Sequence, residues 1–208
     1  MGELRDSKKR ESRQRISDVA TALFLERGFD AVTVDEIAGA ARVSKVTVFN
    51  YFARKEDLFF DRGSEDYAMI RQTLAQRGRG VSSLQALQAL VHRLVKEGHP
   101  LVAFDTGTLD FWRTAKESSS LRARARELRS EFERALSIML QEGDERGAMS
   151  APLVAGMLTA AWCVAFSSAL RRRRAGSSVA TARKDFLANL DAAFAILQRG
   201  TAGTAPRG

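Results

Sequence analysis

The 208-residue chain contains one cysteine, three prolines and two histidines. A lone Cys163 excludes an internal disulfide and points to a reducing, cytoplasmic setting. It sits inside an apolar run, as an inert core residue does. His92 and His99 have no carboxylate or cysteine at metal-ligand spacing, so no metal is expected. No Walker-type phosphate loop and no Rossmann glycine signature occurs, and Gly78-Arg79-Gly80 is too short to be either. Asp105 and Asp110 lie five apart and do not share a helical face, which leaves no acid–base pair. Neither an enzyme nor a cofactor is therefore expected. No run of about 18 uninterrupted apolar residues appears, so no membrane span is expected. The charged N-terminus lacks an apolar signal core.

What is present favours helices. Hydrophobic residues make up 45% of the chain, and Ala, Leu, Arg and Glu recur throughout. The formal charge is +8, but residues 1–62 hold 12 Lys+Arg against 11 Asp+Glu. Basicity is thus no clean nucleic-acid footprint. The first 15 residues carry six Lys/Arg against three Asp/Glu. Lys8, Lys9, Arg10, Arg13 and Arg15 make an arm suited to a phosphate backbone or minor groove, or else a solubilising tail.

One stretch, Thr33 to Phe52, reads as two short helices around a tight corner. Thr33 and Glu36 have capping-box spacing. Val34, Ile37, Ala38 and Ala41 share one face. Arg42 and Val43 make the corner, and Ser44 is a good N-cap for the second helix. There Val48 and Phe52 point one way, and the other side carries donors, a cation and aromatic rings. A short helix of that kind fits the DNA major groove. Upstream, a helix over about Glu11–Arg27 has Ile16, Val19, Ala20, Leu23 and Phe24 as its stripe, with Gly28 after its last turn. A fourth helix is predicted from near Arg54 past Tyr67 toward Gln76.

Thr33–Val34 with Ile37–Ala38, then Val43–Ser44–Lys45, Thr47, Tyr51–Phe52 and Lys55–Glu56–Asp57–Leu58, together with the upstream set through Gly28 and Phe29, resemble the DNA-binding domain of the tetracycline-repressor (TetR) family. The resemblance covers about residues 10 to 62. Val46 stands where the family most often has a small residue, and Phe49 where Tyr is common. It implies an all-α fold of about nine helices: a three-helix DNA-binding domain over 10–62 (helix-turn-helix 34–53) and a larger ligand-binding and dimerisation domain over 63–200. Residues 1–9 and 201–208 are expected to be flexible tails. On that reading Lys45, Thr47, Phe49 and Asn50 face bases. Thr33, Ser44, Tyr51 and Lys55 hold phosphates, and Arg42 does either.

Past the Gly78–Gly80 break, helices are predicted from Ser82 or Ser83, over about Val102–Lys116, over Leu121–Glu142, over Leu153–Leu170 and over Ala180–Gln198. The Leu153–Leu170 helix is apolar nearly all round and must be covered on more than one side. A second copy of the chain would supply cover through Leu153, Met157, Ala161, Ala165, Leu187, Leu190 and Phe194, making a four-helix interface. The alternative is that this helix is the centre of its own domain. TetR-like proteins pair through their last two helices and commonly bind a small molecule. Phe104, Leu109, Trp112, Met139, Leu140, Trp162 and Phe166 would line an apolar effector cavity, unless they simply fill a core. The expected function is a homodimeric, small-molecule-responsive repressor on a palindromic operator. The rival is a helical protein-interaction module that has lost DNA reading.

Overall fold

In the computed structural model, the described residues are 2–61, 63–143 and 150–202, with side chains described for 7–61, 66–142 and 150–200. They form ten α-helices and no strand: α1 (Gly2–Arg27), α2 (Val34–Ala40), α3 (Lys45–Tyr51), α4 (Lys55–Phe59), α5 (Gly63–Ala75), α6 (Ser83–Glu97), α7 (Thr106–Glu117), α8 (Ser119–Gly143), α9 (Ala151–Arg174) and α10 (Val179–Ala202). A short 3-10 turn, Pro100–Val102, precedes α7. Two compact units result, Met1–Ser64 with Asp110–Ala125, and Glu65–Leu109 with Arg126–Gly208.

The first unit is built on the stripe of α1. Ile16, Ala20 and Phe24, spaced by four, are fully buried. Gly28 ends the helix at φ 84, a left-handed backbone that costs glycine nothing, and its N–H meets the Phe24 carbonyl at 2.9 Å. The chain then turns Phe29 and Val32 inward, beside Ile37, Val48, Phe52, Leu58 and Phe59. Phe24 and Phe29 have ring centroids 4.8 Å apart, and Phe59 stacks on Phe111 at 4.2 Å. Residues 110–125, outside the span expected for this unit, join it through Phe111, Trp112, Ala115 and Leu121. Arg124 Nε reaches Asp57 Oδ1 at 2.8 Å, and the Ser118 hydroxyl reaches Asp30 at 2.9 Å.

The single helix expected from Arg54 to Gln76 is two. Phe59 and the following Phe60 both pack on Phe111, at 4.2 and 5.9 Å, and Phe60 leaves helical geometry at φ −103, ψ 32. The first helix starts at Gly2 rather than near Glu11, so residues 2–9, expected as part of a flexible tail, are helical; of the other expected tail, 203–208 lie outside the described residues.

In the second unit Ser82 and Gln85 form a complete capping box at the start of α6. Leu84, Leu87, Leu90, Val91, Leu94 and Val95 are its buried stripe. α7 begins later than expected because Phe104 takes a left-handed φ of 52. Arg173 Nε on α9 holds the Phe104 carbonyl at 2.7 Å, and the Asp105 carboxylate accepts the Thr108 N–H at 2.8 Å to start the helix. α9 and α10 pack as a pair. Val154, Ala155, Leu158, Ala165, Ala169 and Leu170 face inward from one, and Ala182, Phe186, Leu190, Phe194 and Leu197 from the other.

Candidate nucleic-acid interface

The expected helix-turn-helix is α2, a four-residue corner and α3. At its start the Thr33 hydroxyl accepts the Glu36 N–H at 3.2 Å, while the Glu36 carboxylate accepts from the Thr33 N–H at 2.7 Å. Arg27 Nη2 adds a bond to Glu36 at 2.7 Å. The Thr33 bonds first, and then Arg27, hold the Glu36 carboxyl down from its ordinary 4.5 to about 2. The Thr33 hydroxyl is thereby committed to the helix cap.

The corner is a Schellman motif. The Arg42 N–H bonds the Gly39 carbonyl at 3.1 Å and the Val43 N–H bonds the Ala38 carbonyl at 2.9 Å. Arg42 occupies the left-handed position, φ 55, where glycine is usual, and its side chain is exposed. Ser44 caps α3, its Oγ accepting the Thr47 N–H at 3.0 Å and lying 2.8 Å from the Thr47 hydroxyl.

α3 then divides cleanly. Val48 and, just past the helix end, Phe52 are buried against the core. Lys45, Val46, Phe49 and Asn50 are exposed, and their i, i+1, i+4, i+5 spacing makes one outward face. Val46 is 69% exposed and Phe49 45%. Lys45 Nζ is paired with Asp35 Oδ2 at 2.7 Å across the motif, both side chains in solvent. Of the residues expected to face bases, Lys45, Phe49 and Asn50 share this face, and Thr47, half-buried, does not. Val46 was not among them. Its signal in the sequence was an apolar residue set off the Val48–Phe52 side.

Two assignments need correction. The Lys55 amine points inward, donating to the Phe29 carbonyl at 2.6 Å and lying 4.2 Å from the centre of the Phe29 ring. Burial pushes its pKa below the ordinary lysine value. An amine so placed anchors α4 and is no spare phosphate ligand. Arg13, expected in a basic arm or tail, is a staple within the unit. It donates to the Tyr51 carbonyl at 2.8 Å, pairs with Asp61 and lies 4.4 Å over the Phe52 ring. Tyr51 itself is half-buried against the core. Lys8, Lys9, Arg10 and Arg15 are exposed along α1.

Of the residues assigned to an effector cavity, Phe104, Phe166 and Trp162 gather around Phe186 in the second unit. Trp112 lies in the first unit with its ring 5.6 Å from Phe111. Phe104 is fully buried and packs on Phe166 and Phe186, at 5.1 and 5.3 Å; Trp162 meets Phe186 edge-on at 5.1 Å. Met139 and Leu140 are buried, and Leu109 is half-buried. An open groove of about 500 Å³ instead lies along α5 and α6, lined by Met69, Thr73, Val81, Leu90 and Arg93 among others.

The residues assigned to self-association also divide. Ala165, Leu190 and Phe194 are buried by the chain itself, so they present nothing to a partner, and Ala161 and Leu187 are half-buried. Leu153 and Met157 are exposed, and with Ala160 and Val164 they form a continuous outer stripe on α9. By length and composition α9 is apolar enough to cross a membrane, although its inner side packs within the unit. Among the described residues no cluster of three or more His, Cys, Asp or Glu is placed to hold a metal ion.

A capped helix, a Schellman corner and a second short helix with its outer face bare define a helix-turn-helix domain of the DNA-binding class. Residues 16–61 match the family model for bacterial regulatory proteins of the tetR family. An uncharacterized HTH-type transcriptional regulator of Bacillus subtilis, YdeS, is 48% identical over 46 residues, 22% of this chain and 23% of its own length. The chain matches less than half the length of its curated relatives. Among solved structures, Thermus thermophilus FadR, a repressor crystallised with lauroyl-CoA, is 26% identical with a TM-score of 0.54, covering 94% of this chain and 96% of its own. SmeT, crystallised with triclosan, shares the fold at 17% identity with a TM-score of 0.60, covering 89% of this chain and 91% of its own. The likeness in sequence to the tetR family lies in residues 16–61, and over the rest of the chain the solved structures share the fold.

Proposed function

We propose that this protein is a cytoplasmic, homodimeric transcriptional repressor that reads a palindromic operator with α3 and is released by a small apolar effector. The observation that carries the reading is the outward face of α3, Lys45, Val46, Phe49 and Asn50, on a helix fixed at both ends and left uncovered by its own unit. Asn50 supplies an amide suited to adenine, and Lys45, once exchanged from Asp35, a cation for guanine or phosphate. Thr33, Ser44 and Tyr51 shape the helix ends, and Arg42 stands exposed at the corner beside the backbone the motif would straddle.

Dimerisation is assigned to the outer stripe of α9, Leu153, Met157, Ala160 and Val164, together with exposed Ile196 on α10. Two heads then meet half-sites one or more helical turns apart. The effector is placed in the second unit, as lauroyl-CoA and triclosan are carried by proteins of this fold. Its action would be a population shift toward a state with low affinity for the operator.

Selection of bound sequences from random duplex DNA tests the proposal. An enriched inverted repeat supports it. Absence of any enrichment overturns it and favours the interaction-module reading, to which exposed Val46 and Phe49 are equally suited. Lauroyl-CoA and triclosan are the first effector probes, read by release of the selected duplex.

A further inference from the structure

The outer face of α3 is unusual in what its polar groups are doing. The Thr47 hydroxyl is engaged with Ser44, and the Lys45 amine is held by Asp35. What projects furthest is apolar: Val46 is 69% exposed, more than any other large hydrophobic described, and Phe49, one turn on, is 45% exposed. Val48 between them is buried, so α3 already has its anchor in the core, and the outward pair contributes nothing to it. Val46 is in the first turn of a seven-residue helix, the part that reaches base edges when such a helix enters the major groove.

The major groove offers one apolar feature, the C5-methyl group of thymine. We propose that Val46 and Phe49 specify thymine by direct contact with that methyl, and that they set the sequence preference of the domain more than Lys45 or Thr47 does. The proposal rests on the reading of α3 as a DNA-reading helix. It adds the base, the atom recognised and the two side chains that recognise it. The Val46 isopropyl group, in the first turn, would meet a thymine near the centre of each half-site. The Phe49 ring edge would cover the methyl of a neighbouring step, and Asn50 is left to bond the adjacent adenine.

The experiment uses the full chain and the duplex enriched from the random pool. Each thymine is replaced singly by deoxyuridine, which deletes only the methyl, and affinity is measured by competition at one fixed salt concentration. Losing one buried methyl is expected to weaken binding about fourfold, ~0.8 kcal/mol, at one or two positions repeated symmetrically in both half-sites. Sensitivity should vanish at one of these positions with Val46→Ala and at the neighbouring one with Phe49→Ala, each variant checked for an unchanged melting curve. The exposure of both side chains makes that the expected curve. If the wild-type chain binds selectively but deoxyuridine is tolerated everywhere, thymine readout is wrong while DNA reading stands. Sensitivity that persists undiminished in both variants also overturns it, because other side chains then hold the methyls. Should no duplex be bound selectively, the DNA-reading assignment itself falls, and this inference with it.

Discussion

At the scale of single residues, one ionisable side chain, Glu36, is legible in the sequence and another, Lys55, is not. Glu36 could be assigned to the Thr33 cap because the partners lie three apart and the geometry is local. Its pKa of about 2 lies below the unfolded value of 4.5, so the carboxylate favours the fold above pH 4.5. That contribution is lost as pH falls through about 2. Glu36→Gln is therefore expected to lower the melting temperature near pH 6, with the difference from wild type closing toward pH 2. Lys55 has the sequence position of a phosphate ligand because it opens a helix next to the recognition motif. Nothing in its spacing revealed that Phe29, 26 residues earlier, would offer a carbonyl and a ring. With its pKa lowered in the fold, the charged amine opposes folding at neutral pH, and stability from this group rises with pH from the folded value toward 10.5. Lys55→Met should leave the salt dependence of DNA binding unchanged. A phosphate-bound lysine would instead reduce the log–log slope by about 0.9, and a filter-binding salt series separates the two.

At the scale of elements, the caps were readable and the breaks were not. Thr33, Ser44 and Ser82 start helices where their residue types suggest, because capping is decided within four residues. The division of α4 from α5 and the late start of α7 depend on Phe111 and Arg173, which come from elsewhere in the chain. Val46 departs from the pattern of the family that residues 10–62 resemble, and its place on the outer face is set by the fold of α3. The corner between α2 and α3 yields the prediction at this scale. Arg42 holds φ 55 without glycine's freedom. Arg42→Gly should stabilise the first unit by about 1 kcal/mol by removing that backbone strain, measured by urea unfolding. A loss of stability would show that the Arg42 side chain contributes contacts worth more than the strain.

At the scale of the whole molecule, apolar surface is the organising fact. The helical periodicity of residues 153–170 required cover on more than one side, and α10 supplies part of it. Which residues faced α10 and which faced outward was not legible, because a helix apolar all round carries no directional signal. The structure resolves it, with Val154 and Leu158 inward and Leu153, Met157 and Val164 outward. Val164 is 64% exposed. Val164→Arg should leave helix content intact and convert a dimer to a monomer by light scattering, with operator affinity falling at least tenfold as paired binding is lost. A chain that is monomeric before substitution would remove the dimer from the proposal.

The chain's two tryptophans fall one to each unit, Trp112 beside Phe111 and Trp162 against Phe186. Replacing either by phenylalanine leaves a lone indole whose emission belongs to a known half of the polypeptide. The protein thus carries a pair of built-in optical probes, and the order in which its halves melt can be followed by fluorescence without any added dye.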